Sequence, residues 1–213
     1  IQFTDADGFS VADVDTASGI DTDDSTVTLI STTGGITVTD TLAANDIEAT
    51  GNITATLVAE DAIFSISAGA DVETSGGNVT VNADNMALTG TITATAGANQ
   101  YVYLIPEDTG GSVEAIDLGG TGGAANTLGL TSAELSNVAT DTLVIGDANS
   151  GAISVTADVT APNVTNLHLI SNSTVTGANA TGGINVGGGA GNLAVEAAGT
   201  VNLNDLSNDA ENV

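Results

Sequence analysis

Short runs in which apolar and polar residues alternate recur along the whole chain, and each is followed by a turn rich in Gly, Asn, Asp or Ser. Residues 141–160, DTLVIGDANSGAISVTADVT, show the unit: an apolar run, the turn GDANSG and a second alternating run. Comparable units begin at Ser25, Asn166 and Asn192. Alternation with a period of two places successive side chains on opposite sides of an extended backbone. The pattern therefore predicts many short β-strands joined by turns.

The predicted strands repeat at a regular interval. Val27, Ile53 and Val79 lie 26 residues apart. Equivalent apolar positions further along the chain are Val102, Leu143, Leu167 and Leu193. A period of 20–50 residues indicates a solenoid, a propeller or another array. A propeller repeat needs about four strands in roughly 40 residues, whereas each unit here holds two or three short strands in about 24 residues. That content favours one coil of a β-helix.

We expect an all-β fold, a parallel β-helix (solenoid) of roughly nine coils that spans residues 1–213 as a single segment. Parallel strands lie about 4.8 Å apart, so roughly nine coils predict a rod about 40 Å long. The helical spacing of LTSAELSNV predicts a short helix or excursion near 130–138. The side chains expected to point inward and stack are those of Val27, Leu29, Ile53, Leu57, Val79 and Val81. Asn52, Asn78 and Asn192 are expected to form an amide ladder at a turn.

Composition changes this picture mainly through charge. The 213 residues include 27 Asp and Glu, one His, and no Lys, Arg or Cys. A surface of one negative sign repels phosphate backbones and anionic lipids, so we expect no nucleic-acid partner. The longest apolar cluster, Tyr101–Ile105, is too short to span a membrane, so we expect no membrane insertion. The absence of Cys excludes a disulfide framework. The start IQFTD, in mid-pattern and without Met, favours a mature piece or an excised segment.

Acidic residues at the amino end are the main candidates for metal chemistry. Calcium takes six to eight oxygen ligands, which acidic turns supply. The residues that we single out as a candidate calcium site are Asp5, Asp7, Asp21, Asp23 and Asp24, with Asp13 and Asp15 in the same stretch. DADGFSVADVDT has its Gly in the wrong place for an EF-hand loop and lacks the final Glu. The alternative is that these acids are solvated turn residues and that no cofactor is bound.

Other chemistry has less support. His168 is the only His, and a lone imidazole without His or Cys partners does not form a metal site, so we expect an ordinary surface residue. Cleavage of an acidic polysaccharide needs cationic groups, and a site for a neutral glycan needs aromatic platforms, yet aromatic residues make up 2% of the chain. We therefore expect no enzyme. A flat Thr array for ice binding is a further alternative, but Thr28, Thr54 and Thr80 are followed by Tyr103, so that column ends after three coils.

Three stretches of the chain resemble a known family. They are FTDADGF…VDTASGI, GGNVTVNADNMALTGTI and AIDLGG…NTLGLTSAELSNVATDTLVIGDANSGAISVTADV, with 128–159 as the most specific part. This order is similar to long repeats in filamentous-haemagglutinin-like exoproteins, which are giant bacterial surface adhesins. The resemblance implies a right-handed parallel β-helix stalk that is secreted and exposed at the cell surface. No secretion domain, anchoring end or receptor-binding insertion is recognisable, so the resemblance favours a shaft unit of a tandem array.

Two functions remain open from the sequence. The first is a structural shaft of an extracellular surface fibre or adhesin, which projects or assembles other parts along the cell surface. The second is an adhesive module whose lateral face binds a glycan or protein of a host or neighbouring cell, with 101–138 as the irregular insertion. Neither end shows an obvious cap, and uncapped coils expose strand edges. We therefore expect further copies of the repeat as partners, in a tandem chain or end to end.

Overall fold

The computed structural model describes residues 1–13, 19–23, 25–40, 46–58, 62–97, 99–107, 113–121, 126–177, 183–204 and 208–212. Over these ranges the chain forms an all-β parallel solenoid of about seven turns with one short α-helix. A regular turn contributes three short strands, and equivalent strands of successive turns pair in parallel ladders. The fold class expected from the alternating pattern is confirmed.

The first ladder runs the length of the molecule. Its eight strands are β1 (Gln2–Asp5), β4 (Val27–Ser31), β7 (Ile53–Leu57), β10 (Val79–Asn82), β13 (Tyr101–Ile105), β16 (Val138–Ile145), β19 (Val164–Ser171) and β22 (Asn192–Ala197). The apolar positions aligned from the sequence pair in register along it, namely Val27, Ile53, Val79, Val102, Leu143, Leu167 and Leu193. The eight strands are separated by seven steps, which is close to the roughly nine coils expected. The number is lower than expected because the long connection from β13 to β16 adds no strand to this ladder.

The second and third ladders complete each turn. The first part of the second ladder comprises β2 (Phe9–Ala12), β5 (Ile36–Thr39), β8 (Ile63–Ile66) and β11 (Asn85–Leu88). Its second part comprises β14 (Ala115–Leu118), β15 (Thr127–Leu130), β17 (Ile153–Val155), β20 (Val175–Gly177) and β23 (Val201–Asn202). The third ladder comprises β3 (Ile20–Thr22), β6 (Ile47–Ala49), β9 (Asp71–Thr74) and β12 (Thr91–Ala94). It continues into the first half of β16, while β18 (Val159–Ala161) and β21 (Ile184–Val186) pair separately and precede a 3-10 turn at Gly187–Gly189.

Small aliphatic side chains fill the interior. The six side chains expected to point inward are each at most 2% exposed. They belong to one buried cluster that runs from Val11 to Leu193, in which Phe64 is the largest fully buried side chain. Burial of one Leu or Ile side chain contributes about 1.5–3 kcal/mol. Because each turn buries its apolar edges against its neighbours, the turns stabilise one another.

The connection between β13 and β16 leaves the regular path. β14 and β15 pair in parallel, with Ala115 opposite Thr127, and the order in the ladder is β15, β14, β17. Chain order is therefore inverted at this point of the stack.

A short helix closes this excursion. α1 (Ser132–Leu135) lies inside the predicted range 130–138. Thr131 caps its start, because the Thr131 hydroxyl accepts from the Glu134 backbone N–H while the Glu134 carboxylate accepts from the Thr131 N–H. Asn137 Nδ2 donates to the Leu88 carbonyl at 2.8 Å, which holds the excursion against β11. No helix in the described ranges is long and apolar enough to cross a membrane.

Candidate functional site

Three aspartates meet where the chain passes from the second ladder to the third. Asp13 follows β2, Asp40 follows β5 and Asp46 precedes β6. One carboxylate oxygen from each lies within 4.8 Å of the other two. We call Asp13, Asp40 and Asp46 the acidic corner.

Strand register brings the first two of these side chains together. Ala12 pairs with Thr39, so Asp13 and Asp40 take the next position on adjacent turns. On the following turn Gly69 has a φ of +92°, and a Cβ there would lie 2.6 Å from Asp40 Oδ2. A residue with a side chain at 69 would therefore displace the Asp40 carboxylate as well as strain the backbone.

Asp46 lies deepest in the acidic corner. Its side chain is 0% exposed, and Oδ2 accepts a hydrogen bond from the Asp71 backbone N–H at 2.9 Å. Oδ1 is buried and has no hydrogen-bond partner within the described ranges. Burial raises the pKa of Asp46 above its usual value, the hydrogen bond from Asp71 opposes that rise, and the negative charges of Asp13, Asp40 and Asp71 add to it. The acidic corner is therefore a place where negative charge is costly.

The acids singled out from the sequence lie elsewhere. Asp5 Oδ1 accepts from the Asp7 backbone N–H at 2.9 Å, which is a local turn contact. Asp21 and Asp23 are exposed on and beside β3. None of these four belongs to the one group of three possible metal-ligating side chains in the described ranges. Asp24 and Asp15 lie outside the described residues, so Asp13 alone connects the predicted stretch to the acidic corner.

Sequence reasoning missed Asp40 and Asp46. A signal for Asp40 was present, because FSVAD at 9–13 and ITVTD at 36–40 share the same alternation and the same final Asp. Asp46 gave no such signal. It directly precedes the inward-facing Ile47, so simple alternation places it outside, whereas the corner geometry buries it.

Amide side chains stack on the first ladder. Asn192 Nδ2 donates to Asn166 Oδ1 at 2.8 Å, and Asn212 Nδ2 donates to Asn192 Oδ1 at 2.7 Å. We call Asn166, Asn192 and Asn212 the amide ladder. The predicted pair Asn52 and Asn78 behaves differently, because Asn52 Oδ1 accepts from the Asn78 backbone N–H at 2.8 Å. An amide ladder through Asn192 is thus present, and Asn52 and Asn78 bond side chain to backbone.

A shallow lateral groove of about 450 Å³ borders the amide ladder. Tyr101 and His168 are among the residues that line it. His168 Nε2 is 3.9 Å from Glu196 Oε2, and the His168 side chain is about one third exposed. This placement agrees with the outward orientation expected for His168. The column that contains His168 begins with Thr28, Thr54 and Thr80 in register. Tyr103 follows and then Val144, so the Thr array ends after three turns as expected.

Comparison with protein-family models, with curated proteins and with solved structures gives no match to this chain. The parallel solenoid is compatible with the β-helix repeats of surface adhesins.

Proposed function

We propose that this chain is a shaft segment of an extracellular bacterial surface fibre of the filamentous-haemagglutinin-like kind. The observation that carries the proposal is the single cluster of buried apolar residues from Val11 to Leu193, along which the eight parallel strands of the first ladder pair in register. Such a stack transmits load along its axis through one row of backbone hydrogen bonds per ladder. A spacer that holds another part away from the cell surface needs that stiffness and little else.

The amino-terminal turn supports assembly with further copies of the repeat, in a tandem chain or end to end. A groove of about 290 Å³ opens there, lined by Phe3, Phe9, Val11, Ile20 and Leu29 among others. Phe3 is 46% exposed and packs edge-to-face on Phe9 with ring centroids 4.6 Å apart. An adjoining turn of the same alternating pattern supplies the Val, Ile and Leu side chains that cover such a surface.

The charge of the exterior fits an extracellular location. With 27 acids and no Lys or Arg, neighbouring fibres repel one another unless ions screen them. Media rich in salt or divalent cations supply that screening. The same composition leaves trypsin-like proteases without a cleavage site.

The test is to delete or duplicate residues 1–213 in frame in the native surface protein. About seven turns at a spacing of about 4.8 Å correspond to about 34 Å of fibre per copy. We expect the fibre to shorten or lengthen by that amount in electron micrographs, with adhesion per fibre unchanged. Unchanged fibre length, or loss of adhesion per fibre on deletion, would contradict a shaft.

The lateral groove supports a second candidate function, adhesive binding of a glycan. Tyr101 offers an aromatic face, its ring stacks on Tyr103 with centroids 5.7 Å apart, and His168 and the amide ladder add polar groups. Sugar rings stack on aromatic faces and bond to such polar groups. A glycan screen with the 213-residue chain tests this function. The adhesin would be favoured if Tyr101→Ala abolished glycan binding while Ile63→Ala left it intact. Ile63 is an exposed residue on β8 and serves as the control.

A further inference from the structure

The acidic corner concentrates negative charge in a chain that has no Lys or Arg. Its three carboxylates come from two adjacent turns and place their oxygens within 4.8 Å of one another. The chain has no Lys or Arg, and its one His lies on β19 beside Glu196. Asp71, bonded through its backbone to Asp46, adds a further negative charge. Positive charge that offsets these carboxylates therefore comes from solution, as a proton or as a cation.

Asp46 supplies the second, independent observation. It is fully buried, and its Oδ1 lacks a hydrogen-bond partner within the described ranges although Oδ2 has one. Asp40 Oδ1 is likewise a buried oxygen without a hydrogen bond there. Buried carboxylate oxygens are normally hydrogen-bonded or coordinate a metal ion. Two such oxygens beside a third carboxylate form the donor set of a cation site.

The geometry and the donor type select the ion. Carboxylate oxygens are hard ligands that suit calcium and magnesium. Three oxygens that lie within 4.8 Å of one another share a point at most about 2.8 Å from each. Calcium–oxygen bonds are about 2.3–2.6 Å long, so a small side-chain adjustment brings all three carboxylates onto one ion. Calcium accepts irregular coordination, whereas magnesium demands a near-octahedral shell. Because the three donors come from two separate turns, we expect the ion that tolerates irregular coordination.

We propose that Asp13, Asp40 and Asp46 together bind one calcium ion in preference to magnesium, and that this ion ties the turn of β2 and β3 to the turn of β5 and β6. The ion joins two adjacent turns as well as two ladders. This inference does not depend on the shaft function, because it concerns the stability of the chain itself.

The test is calcium titration of the 213-residue chain, freed of metal by chelation, followed by calorimetry and by thermal unfolding. We expect one site, a higher unfolding midpoint with calcium, and a smaller rise with magnesium at equal concentration. Asp46→Asn should weaken calcium binding by about tenfold or more, because affinity depends on the number of charged ligands. Asp21→Asn is the matched control, since it removes the same charge from an exposed position on β3.

Asp13→Asn serves as a second variant, because Asp13 is only partly buried and its change is less disruptive to folding. Circular dichroism establishes that each variant is folded before titration. Equal weakening by Asp21→Asn and Asp46→Asn, binding of magnesium as tight as that of calcium, or no binding at millimolar calcium would each overturn the proposal.

Discussion

The amide ladder and the acidic corner are two polar stacks built on the same spacing between turns, yet they are satisfied in opposite ways. In the amide ladder, Asn192 donates to Asn166 and accepts from Asn212. An amide carries donors and an acceptor, so identical side chains complete one another. In the acidic corner, Asp13, Asp40 and Asp46 offer only acceptors when ionised. A solenoid can therefore stack amides unaided, whereas stacked carboxylates need a proton or a cation.

The largest effect is expected when the amide ladder is made acidic. Asn192→Asp removes the donor to Asn166 Oδ1 and places a charged oxygen against it. Asn166 Nδ2 does not compensate, because it already donates to the Asp141 carbonyl at 3.0 Å and to Thr142 Oγ1 at 3.3 Å. We expect the free energy of unfolding to fall by about 1–3 kcal/mol at neutral pH. Urea unfolding measures the change.

Asn202→Asp, an exposed change of equal charge on β23, is the control and should have little effect. The carboxyl introduced at position 192 should have a pKa above its unfolded value, because its charged form is disfavoured in the fold. Stability should therefore return as pH falls through that pKa. A loss that persists at acidic pH would show that the introduced charge is not the cause.

The reverse change, from a carboxylate to an amide, lowers the charge repulsion in the acidic corner. In metal-free solution Asp46→Asn removes a buried charge and gives the side chain a donor that can reach a neighbouring carboxylate. We expect the free energy of unfolding to rise by about 1 kcal/mol, which chemical denaturation in chelator measures. A loss of stability in chelator would mean that the Asp46 carboxylate is already well satisfied.

Monovalent salt distinguishes the buried charge of Asp46 from the exposed charge of Asp21, with a smaller expected change in stability. Raising sodium chloride from about 0.01 to about 0.1 M shortens the Debye length from about 30 to about 10 Å. The stability of the chain should rise, because its charge of −27 is screened. The difference between the wild type and Asp21→Asn should shrink, while that between the wild type and Asp46→Asn persists. Thermal midpoints across the salt series measure both, and equal shrinkage would contradict the buried placement of the Asp46 charge.

The smallest expected effect concerns Tyr103, whose hydroxyl is a further polar group on the first ladder. Burial raises the pKa of the Tyr103 hydroxyl above 10.0, and the nearby Tyr101 adds to the rise. The folded chain thus holds this proton more tightly than the unfolded chain does, so stability should fall as pH rises past about 10. Tyr103→Phe should flatten that decline in alkaline unfolding curves. An identical decline in the variant would assign it to other groups.

The regular part of the fold was predictable because its signal is periodic. Val27, Ile53 and Val79 repeat at the coil length. Parallel pairing in register follows, because it stacks these apolar side chains in the interior. α1 was predictable for a local reason, because Thr131 and Glu134 form a capping box before an apolar residue. Each of these signals depends on neighbours in sequence or on one constant interval.

The irregular part was not predictable because its causes are non-local. The inverted order of β14 and β15 depends on how the excursion packs on β11, which no period encodes. The burial of Asp46 depends on a corner between ladders, where alternation no longer specifies inside and outside. Candidate site residues chosen from acidic density alone therefore fell on exposed turns such as Asp7 and Asp23.

Cryo-electron microscopy of the native protein tests the central claim most directly. The shaft account predicts that residues 1–213 lie within a continuous rod, whose turns repeat at about 4.8 Å along the axis through this segment and beyond both of its ends. A separate particle with its groove at Tyr101 and His168 facing a bound partner, and with no solenoid continuing from either end, would contradict it.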